Sequence, residues 1–220
     1  MPNYRVEMGF GLHQGWAIEG AIGSFFKIDA SYLSPNVNMA SRLQAATKQY
    51  GVFILVSHLL YHVFTPEVQQ ICREIDRITV KGSNQPIRIY TVDMELNDLE
   101  ETNDRFSKLS IKDKKRNYER EKKVLWNYLQ KRRKTTIQII SSDTDFAELR
   151  RLVSSEYTHR FGKAYQLYLD GNWPDAIDII DECIEQNPLD GPAQTLLRIM
   201  NNGGGVAPIN WKGYRALTSK

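Results

Sequence analysis

Asn38 and Arg42 are the residues of this 220-residue chain whose types and spacing carry a chemical argument. They stand four apart in Val37-Asn38-Met39-Ala40-Ser41-Arg42-Leu43, hence on one face of any helix formed there. An amide and a guanidinium projecting together near glycine-rich strands suit an anionic ligand, because the guanidinium offers a planar fork to phosphate oxygens. Without that context the two residues read as a solvated pair on an exposed helix face. Other combinations carry less. His58 and His62, also four apart, make half of a metal site with no Cys, Asp or Glu cluster to complete it, and read as ordinary helix residues. Gly9, Gly11 and Gly15 open no helix, and no Gly-Lys-Ser/Thr follows them, so they are not a phosphate loop. No spacing suggests a Ser-His-Asp or Cys-His arrangement.

The elements that must position this pair are legible on either side of it. Val6 to Leu12 and Trp16 to Ile22 are short apolar segments interrupted by glycines, as expected of strands that turn tightly or approach another backbone closely. Ser34-Pro35 supplies an N-cap and a first-turn proline for a helix over 36–50, which Gly51 ends. Val37, Ala40, Leu43, Ala46 and Tyr50 give that helix a predicted buried stripe, offset from the Asn38 and Arg42 face. Val52 to Val56 reads as a buried strand, and Ser57 caps a short helix over 58–64. Ile71 to Val80 and Ile87 to Val92 are strand-like and joined by Lys81-Gly82-Ser83-Asn84-Gln85-Pro86, which predicts a hairpin.

Beyond this region the charge pattern changes. Asp93, Glu95, Asp98, Glu100, Glu101 and Asp104 precede a stretch from Lys108 to Lys134 with 12 Lys+Arg and 3 Asp+Glu. The net +3 of the chain therefore averages a +9 segment against −6 elsewhere, which excludes a uniformly basic nucleic-acid binder. Tyr118, Leu125, Tyr128 and Leu129 give the basic stretch a thin helical stripe, and the plain reading is a solvated linker helix, with a membrane surface, nucleic acid or an acidic partner as the alternatives. Phe146, Leu149, Leu152 and Val153 form a further stripe. Ala164, Leu167, Tyr168, Gly171, Trp173, Ala176, Ile180, Ile184 and Pro188 fall at helix-turn-helix offsets resembling one tetratricopeptide-like unit. One such unit cannot bury its own faces, so it must pack on the rest of the chain or on a partner. Two distant cysteines, 41% hydrophobic residues and no apolar run of membrane-spanning length lead to the expectation of a soluble, cytoplasmic chain, with membrane attachment of a longer parent left open.

The run Arg5-Val6-Glu7-Met8-Gly9-Phe10-Gly11-Leu12-His13-Gln14-Gly15-Trp16-Ala17-Ile18-Glu19-Gly20-Ala21-Ile22-Gly23, followed without a gap by Val37-Asn38, then Thr47-Lys48-Gln49-Tyr50-Gly51-Val52 and Val80-Lys81-Gly82, resembles the C-terminal half of the class III adenylate/guanylate cyclase catalytic domain. The charged helix and repeat-like tail that follow are similar to those of some long protist cyclases. The resemblance implies an α+β chain: a partial ferredoxin-like cyclase fold over residues 1–94 followed by an α-helical extension. The extension divides into a charged helical linker (95–144), a tetratricopeptide-like unit (145–200) and a flexible tail (201–220).

The resemblance also implies chemistry, residue by residue. Asn38 corresponds to the asparagine that orients the nucleotide ribose, Arg42 to the arginine that stabilises charge on the α-phosphate, and Lys81 to the lysine that holds the terminal phosphates. Ser31 stands where the family reads the purine edge; a hydroxyl both donates and accepts, so it does not choose between ATP and GTP, and adenine is mildly preferred. The implied activity is a lyase reaction forming cyclic nucleotide and pyrophosphate, carried by positioning and charge neutralisation. Two departures bear on it. Ser34-Pro35 replaces the usual Gly-Asp before the helix. The family's two metal-binding aspartates fall upstream of the matched stretch, and Asp29 and Asp76 match positions without a metal role. The chain alone is therefore expected to be inactive, with Mg²⁺ or Mn²⁺ ligands supplied by an upstream half or by a second cyclase domain in a homo- or heterodimer. Such a half-fold is expected to expose sheet edges and apolar surface. The alternative is a non-catalytic cyclase-homology module that binds a protein partner through the helical extension, and neither reading involves nucleic acid.

Overall fold

A computed structural model describes residues 8–80, 85–94, 109–131, 135–151 and 153–217. Residues 1–93 and 153–220 make one compact unit, and residues 94–152 make a second.

The first unit is built on a five-stranded mixed sheet in the order β1-β4-β6-β5-β7. β1 (Phe10–Leu12) lies parallel to β4 (Ile54–Ser57), and between them run a hairpin and a helix, the long crossover that parallel strands require. The helix is α1 (Pro35–Tyr50), with Ser34 accepting a hydrogen bond from the Asn36 amide at its start and Gly51 in the left-handed conformation at its end, as the capping residues predicted. Leu43, Ala46 and Tyr50 are buried as expected, whereas Val37 is exposed because the first turn of α1 projects past the core. The close strand approach anticipated from the glycines is real: a Cβ on Gly11 would overlap the Ala40 carbonyl and the Gln44 amide, so only glycine lets β1 lie against the α1 backbone.

The hairpin between β1 and α1 pairs β2 (Ile18–Ser24) with β3 (Lys27–Leu33) in antiparallel register, Ala21 opposite Ala30. Its first strand matches the apolar segment expected over 16–22, and its second is added by the structure, with Ile28, Ala30 and Tyr32 alternating along it. This hairpin carries the exposed apolar surface expected of the fold: Ile18, Ile28, Tyr32 and Leu33 are uncovered, and Phe25 and Phe26 at its turn are 100% and 95% exposed.

After β4 the chain forms α2 (His58–Tyr61) and α3 (Pro66–Gln69), so the single helix read over 58–64 is shorter than expected and closes in turns that Gln69 braces by donating to the Tyr61 and Phe64 carbonyls. β5 (Cys72–Thr79) and β6 (Ile87–Val92) then form the predicted antiparallel hairpin. A register shift between Glu74 and Asp76 turns Asp76, as well as Arg73 and Ile75, toward the buried side.

The second unit holds α4 (Ile111–Gln130), α5 (Thr136–Ser141) and α6 (Thr144–Leu149). α5 opens with a capping box in which Thr135 and Gln138 satisfy one another's backbone amides. Among the described residues no helix is long and apolar enough to cross a membrane.

The chain returns to the first unit with α7 (Ser155–Asp170), α8 (Trp173–Gln186) and α9 (Gly191–Asn202). α7 and α8 form a helical hairpin; α7 packs on β5, and α9 packs on α1. One continuous core results, running from Leu43 and Tyr50 through Leu55, Ile75, Ile78 and Ile89 to Phe161, Tyr165, Tyr168, Ile180 and Leu196. Of the predicted stripe, Ala164, Tyr168, Trp173, Ala176 and Ile180 are buried in it. Gly191 enters this interface because a side chain there would overlap the Tyr50 carbonyl. The segment read as a flexible tail docks instead: Trp211 stacks edge-on against Tyr168 and Trp173 with centroids 5.2 Å from each, and β7 (Arg215–Ala216) adds to β5 as a parallel edge strand. Trp211 thus anchors the segment, and the docking of its neighbours completes backbone pairing that a loose tail would leave open.

Candidate functional site

The candidate site is the N-terminal half of α1 and the corner that leads into it. Asn38 is exposed on the second turn, and Arg42, one turn further, is half-buried. Ser31 is half-buried on β3 opposite Gly20, three residues before the Ser34 corner, while Asn38 follows that corner by four. Lys81 lies outside the described residues.

What holds this corner is a clasp that the sequence did not reveal. The Ser34 hydroxyl donates to the Trp16 carbonyl at 2.6 Å, and the Asn36 amide donates to the same oxygen at 2.8 Å. The Asn36 side-chain oxygen lies 3.1 Å from His13 Nε2 and, being only an acceptor, requires the ring to donate there. His13 Nδ1 then faces the Ser57 hydroxyl at 2.8 Å, and Ser57 in turn accepts from the Leu60 amide as the α2 cap. One imidazole therefore ties the start of α1 to the end of β4. Ser34 and Ser57 were identified as helix caps, but His13 could not be, since its partners are 23 and 44 residues away.

The opposite end of α1 is held as firmly. Thr195 of α9 donates to the Gln49 carbonyl at 2.9 Å, satisfying one of the last carbonyls of the helix. The Tyr50 hydroxyl donates to Asp76 Oδ2 at 2.6 Å and accepts from Arg215 at 2.7 Å. Burial, then the Asp76 carboxylate, raise the Tyr50 hydroxyl well above the ordinary tyrosine range, so it stays protonated and keeps donating.

Neither Asp29 nor Asp76 is free to hold a divalent cation. Asp29 pairs with Lys27 at 2.9 Å on the open hairpin. Asp76 is 0% exposed and its oxygens are engaged by Tyr50, Arg215 and the Arg77 amide. Among the described residues no group of three His, Cys, Asp or Glu converges as a metal site.

His58 and His62 sit edge-to-face with ring centroids 6.3 Å apart. Burial, followed by the His62, Arg88 and His13 charges, lowers the His58 pKa from its ordinary 6.5. A group whose folded value is depressed contributes stability above its unfolded pKa and loses it as pH falls. Unfolding free energy is therefore expected to drop as pH falls below 6.5 toward the depressed folded value, and His58→Gln to flatten that slope in urea denaturation series. An unchanged slope would remove His58 as its origin.

Comparison with known proteins bears on this arrangement. A ninety-residue stretch is 37% identical to an adenylate cyclase of Anabaena cylindrica, covering 40% of this chain and 18% of that protein. A terminal-differentiation specific adenylate cyclase of Dictyostelium discoideum is 31% identical over 88 residues, 40% of this chain and 4% of that protein. Adenylate cyclase 1 of Rhizobium meliloti is 29% identical over 92 residues, 42% of this chain and 13% of that protein. The chain thus spans less than a fifth of the length of these curated relatives. No family model and no solved structure matches it. The matches support a cyclase-related family over about 40% of this chain.

Proposed function

We propose that residues 1–94 contribute the nucleotide-orienting part of a class III cyclase catalytic domain, with ATP as substrate. The carrying observation is the similarity to three proteins named adenylate cyclase, with 37% identity over 90 residues in one of them. The geometry of α1 is compatible with it. Asn38 and Arg42 are presented from a helix held at both ends, so their backbone positions are set before a ligand arrives. In this reading Asn38 hydrogen-bonds the ribose, and Ser31 meets the purine edge. Arg42 faces the α-phosphate, where its guanidinium stabilises charge as the 3′-hydroxyl displaces pyrophosphate. Lys81 binds the terminal phosphates. The divalent cations, Mg²⁺ or Mn²⁺, are held by carboxylates of an upstream half or of a second cyclase domain. The uncovered apolar hairpin β2–β3 is a surface on which such a domain packs. The cyclase reading keeps the chain in the cytoplasm, where its nucleotide substrate is found.

The test is cyclic AMP formation from ATP and Mn²⁺ by the longest gene product, or by this chain mixed with a cyclase domain that carries the two aspartates. Arg42→Ala is expected to lower turnover by about 10²- to 10³-fold, the range for removing one transition-state charge stabiliser, while circular dichroism and thermal unfolding stay unchanged. No cyclic nucleotide from the unmodified protein under either condition would instead favour the non-catalytic homology module.

A further inference from the structure

The basic helix α4 has no role in the cyclase reading, yet its surface is organised. Ile111, Tyr118 and Leu125 recur every seven residues, two turns apart, and all three are exposed. Lys115 follows Ile111 by four and precedes Tyr118 by three, and Lys122 stands in the same relation to Tyr118 and Leu125. Both lysines therefore flank one side of the stripe, where their aliphatic stems extend its apolar width and their ammonium groups project beyond it. Trp126, 61% exposed, lies on that same flank one turn after Lys122 and Lys123. The helix holds seven Lys+Arg against three Asp+Glu, a net +4. Of the acids, Asp113 is engaged by Ser110 and Arg116, Glu121 lies on the far side of the stripe from Lys115, and Glu119 stands on the lysine flank, four after Lys115 and three before Lys122, where it offsets part of their charge.

This pattern selects among occupants. A second copy of the helix would need apolar residues three after each stripe position, and two of the three there are Lys114 and Glu121. It would also bring two positive helices together. A nucleic-acid backbone would neutralise the lysines but leave the stripe in water. A bilayer with anionic headgroups satisfies both: apolar side chains enter the acyl boundary, lysines stay at headgroup level, and an indole bridges the two. We propose that α4 docks on an anionic membrane surface, with Ile111, Tyr118 and Leu125 toward the lipid and Lys115, Lys122 and Trp126 at the headgroups.

The experiment is co-sedimentation of the full chain with phosphatidylcholine vesicles, with and without phosphatidylserine, read also by tryptophan emission. Binding is expected only to the mixed vesicles and is expected to weaken with added salt. Each lysine near an anionic surface accounts for about a fivefold change in partition, so Lys115→Gln with Lys122→Gln should reduce it about 25-fold. Both positions are exposed, and circular dichroism checks that the double variant is folded. A vesicle-induced blue shift should be present in the unmodified chain and lost in Trp126→Phe. Equal binding to neutral vesicles, a shift that survives Trp126→Phe, or retention by a duplex oligonucleotide without vesicle binding would each overturn the proposal.

Discussion

Arg73→Ala is expected to lower the unfolding free energy of the full chain by about 3 to 5 kcal/mol in urea denaturation, a large share of the stability of an ordinary domain. The reason is the isolation of what surrounds this side chain. Arg73 is 5% exposed and uses its whole guanidinium: Nε and Nη2 donate to Asp93 at 2.6 to 3.1 Å, and Nη1 and Nη2 donate to Asp190 at 2.8 Å each. Its guanidinium carbon lies 4.2 Å from the centre of the Phe161 ring, and Tyr157 also donates to Asp190. Burial alone would lower the Arg73 pKa, but the Asp190 and Asp93 charges outweigh it and hold the group well above its usual value. Removing the cation leaves two carboxylates of like sign in a desolvated pocket, which costs more than the lost hydrogen bonds. Arg73→Lys should recover only part of the loss, because one ammonium cannot reproduce two forked pairs. Replacing all three charges together, Arg73→Met with Asp93→Asn and Asp190→Asn, should destabilise less than Arg73→Ala. A single-variant loss under about 1 kcal/mol would show that the network contributes nothing beyond a surface pair.

Arg215→Ala is the second large effect, again about 3 to 5 kcal/mol, and it separates two readings of the C-terminal segment. A tail free in solution would tolerate the change within about 0.5 kcal/mol, as surface substitutions do. Here Arg215 donates to Asp76 at 2.8 Å and to the Tyr50 hydroxyl at 2.7 Å. Burial lifts the Asp76 carboxyl above the usual carboxylate range, and the Arg215 charge and the Tyr50 hydrogen bond pull it part of the way back. Without Arg215, Asp76 can remain charged only at a high desolvation cost. Hydrogen exchange should therefore quicken at the end of α1 and along β5 in the variant, while the distant β2–β3 hairpin is unaffected. Unchanged protection at Tyr50 and Ile78 would contradict the arrangement.

Both networks have the same consequence for the proposed site. Helix α1 carries Asn38 and Arg42 near one end and Tyr50 at the other, and the far end is fastened to α9 and to Arg215. The helical extension therefore shares the core of the segment that resembles a cyclase, through Phe161, Tyr165 and Leu196. Faces of α7 and α9 that a tetratricopeptide-like unit would offer to a partner are spent within the chain.

Local signals in the chain determined its local elements. Ser34-Pro35 and Gly51 bounded α1 because caps act within one turn of the residues they satisfy. The turn cluster before Ile87 marked the β5–β6 hairpin for the same reason of proximity. Asn38 and Arg42 were legible as a pair because helical spacing alone places them on one face. Tertiary structure decided the rest. On a regular strand Arg73 and Asp76 would point to opposite faces; the register shift at Glu74 brings both inward, and no pattern in Cys72–Thr79 announces it. Arg73 then meets Asp190 across 117 residues, Arg215 meets Asp76 across 139, and His13 meets Ser57 across 44. Such partners are chosen by the packing of whole helices against the sheet, where desolvation makes an unpaired charge prohibitive. Periodicity and capping, which are local, carry no information about that choice.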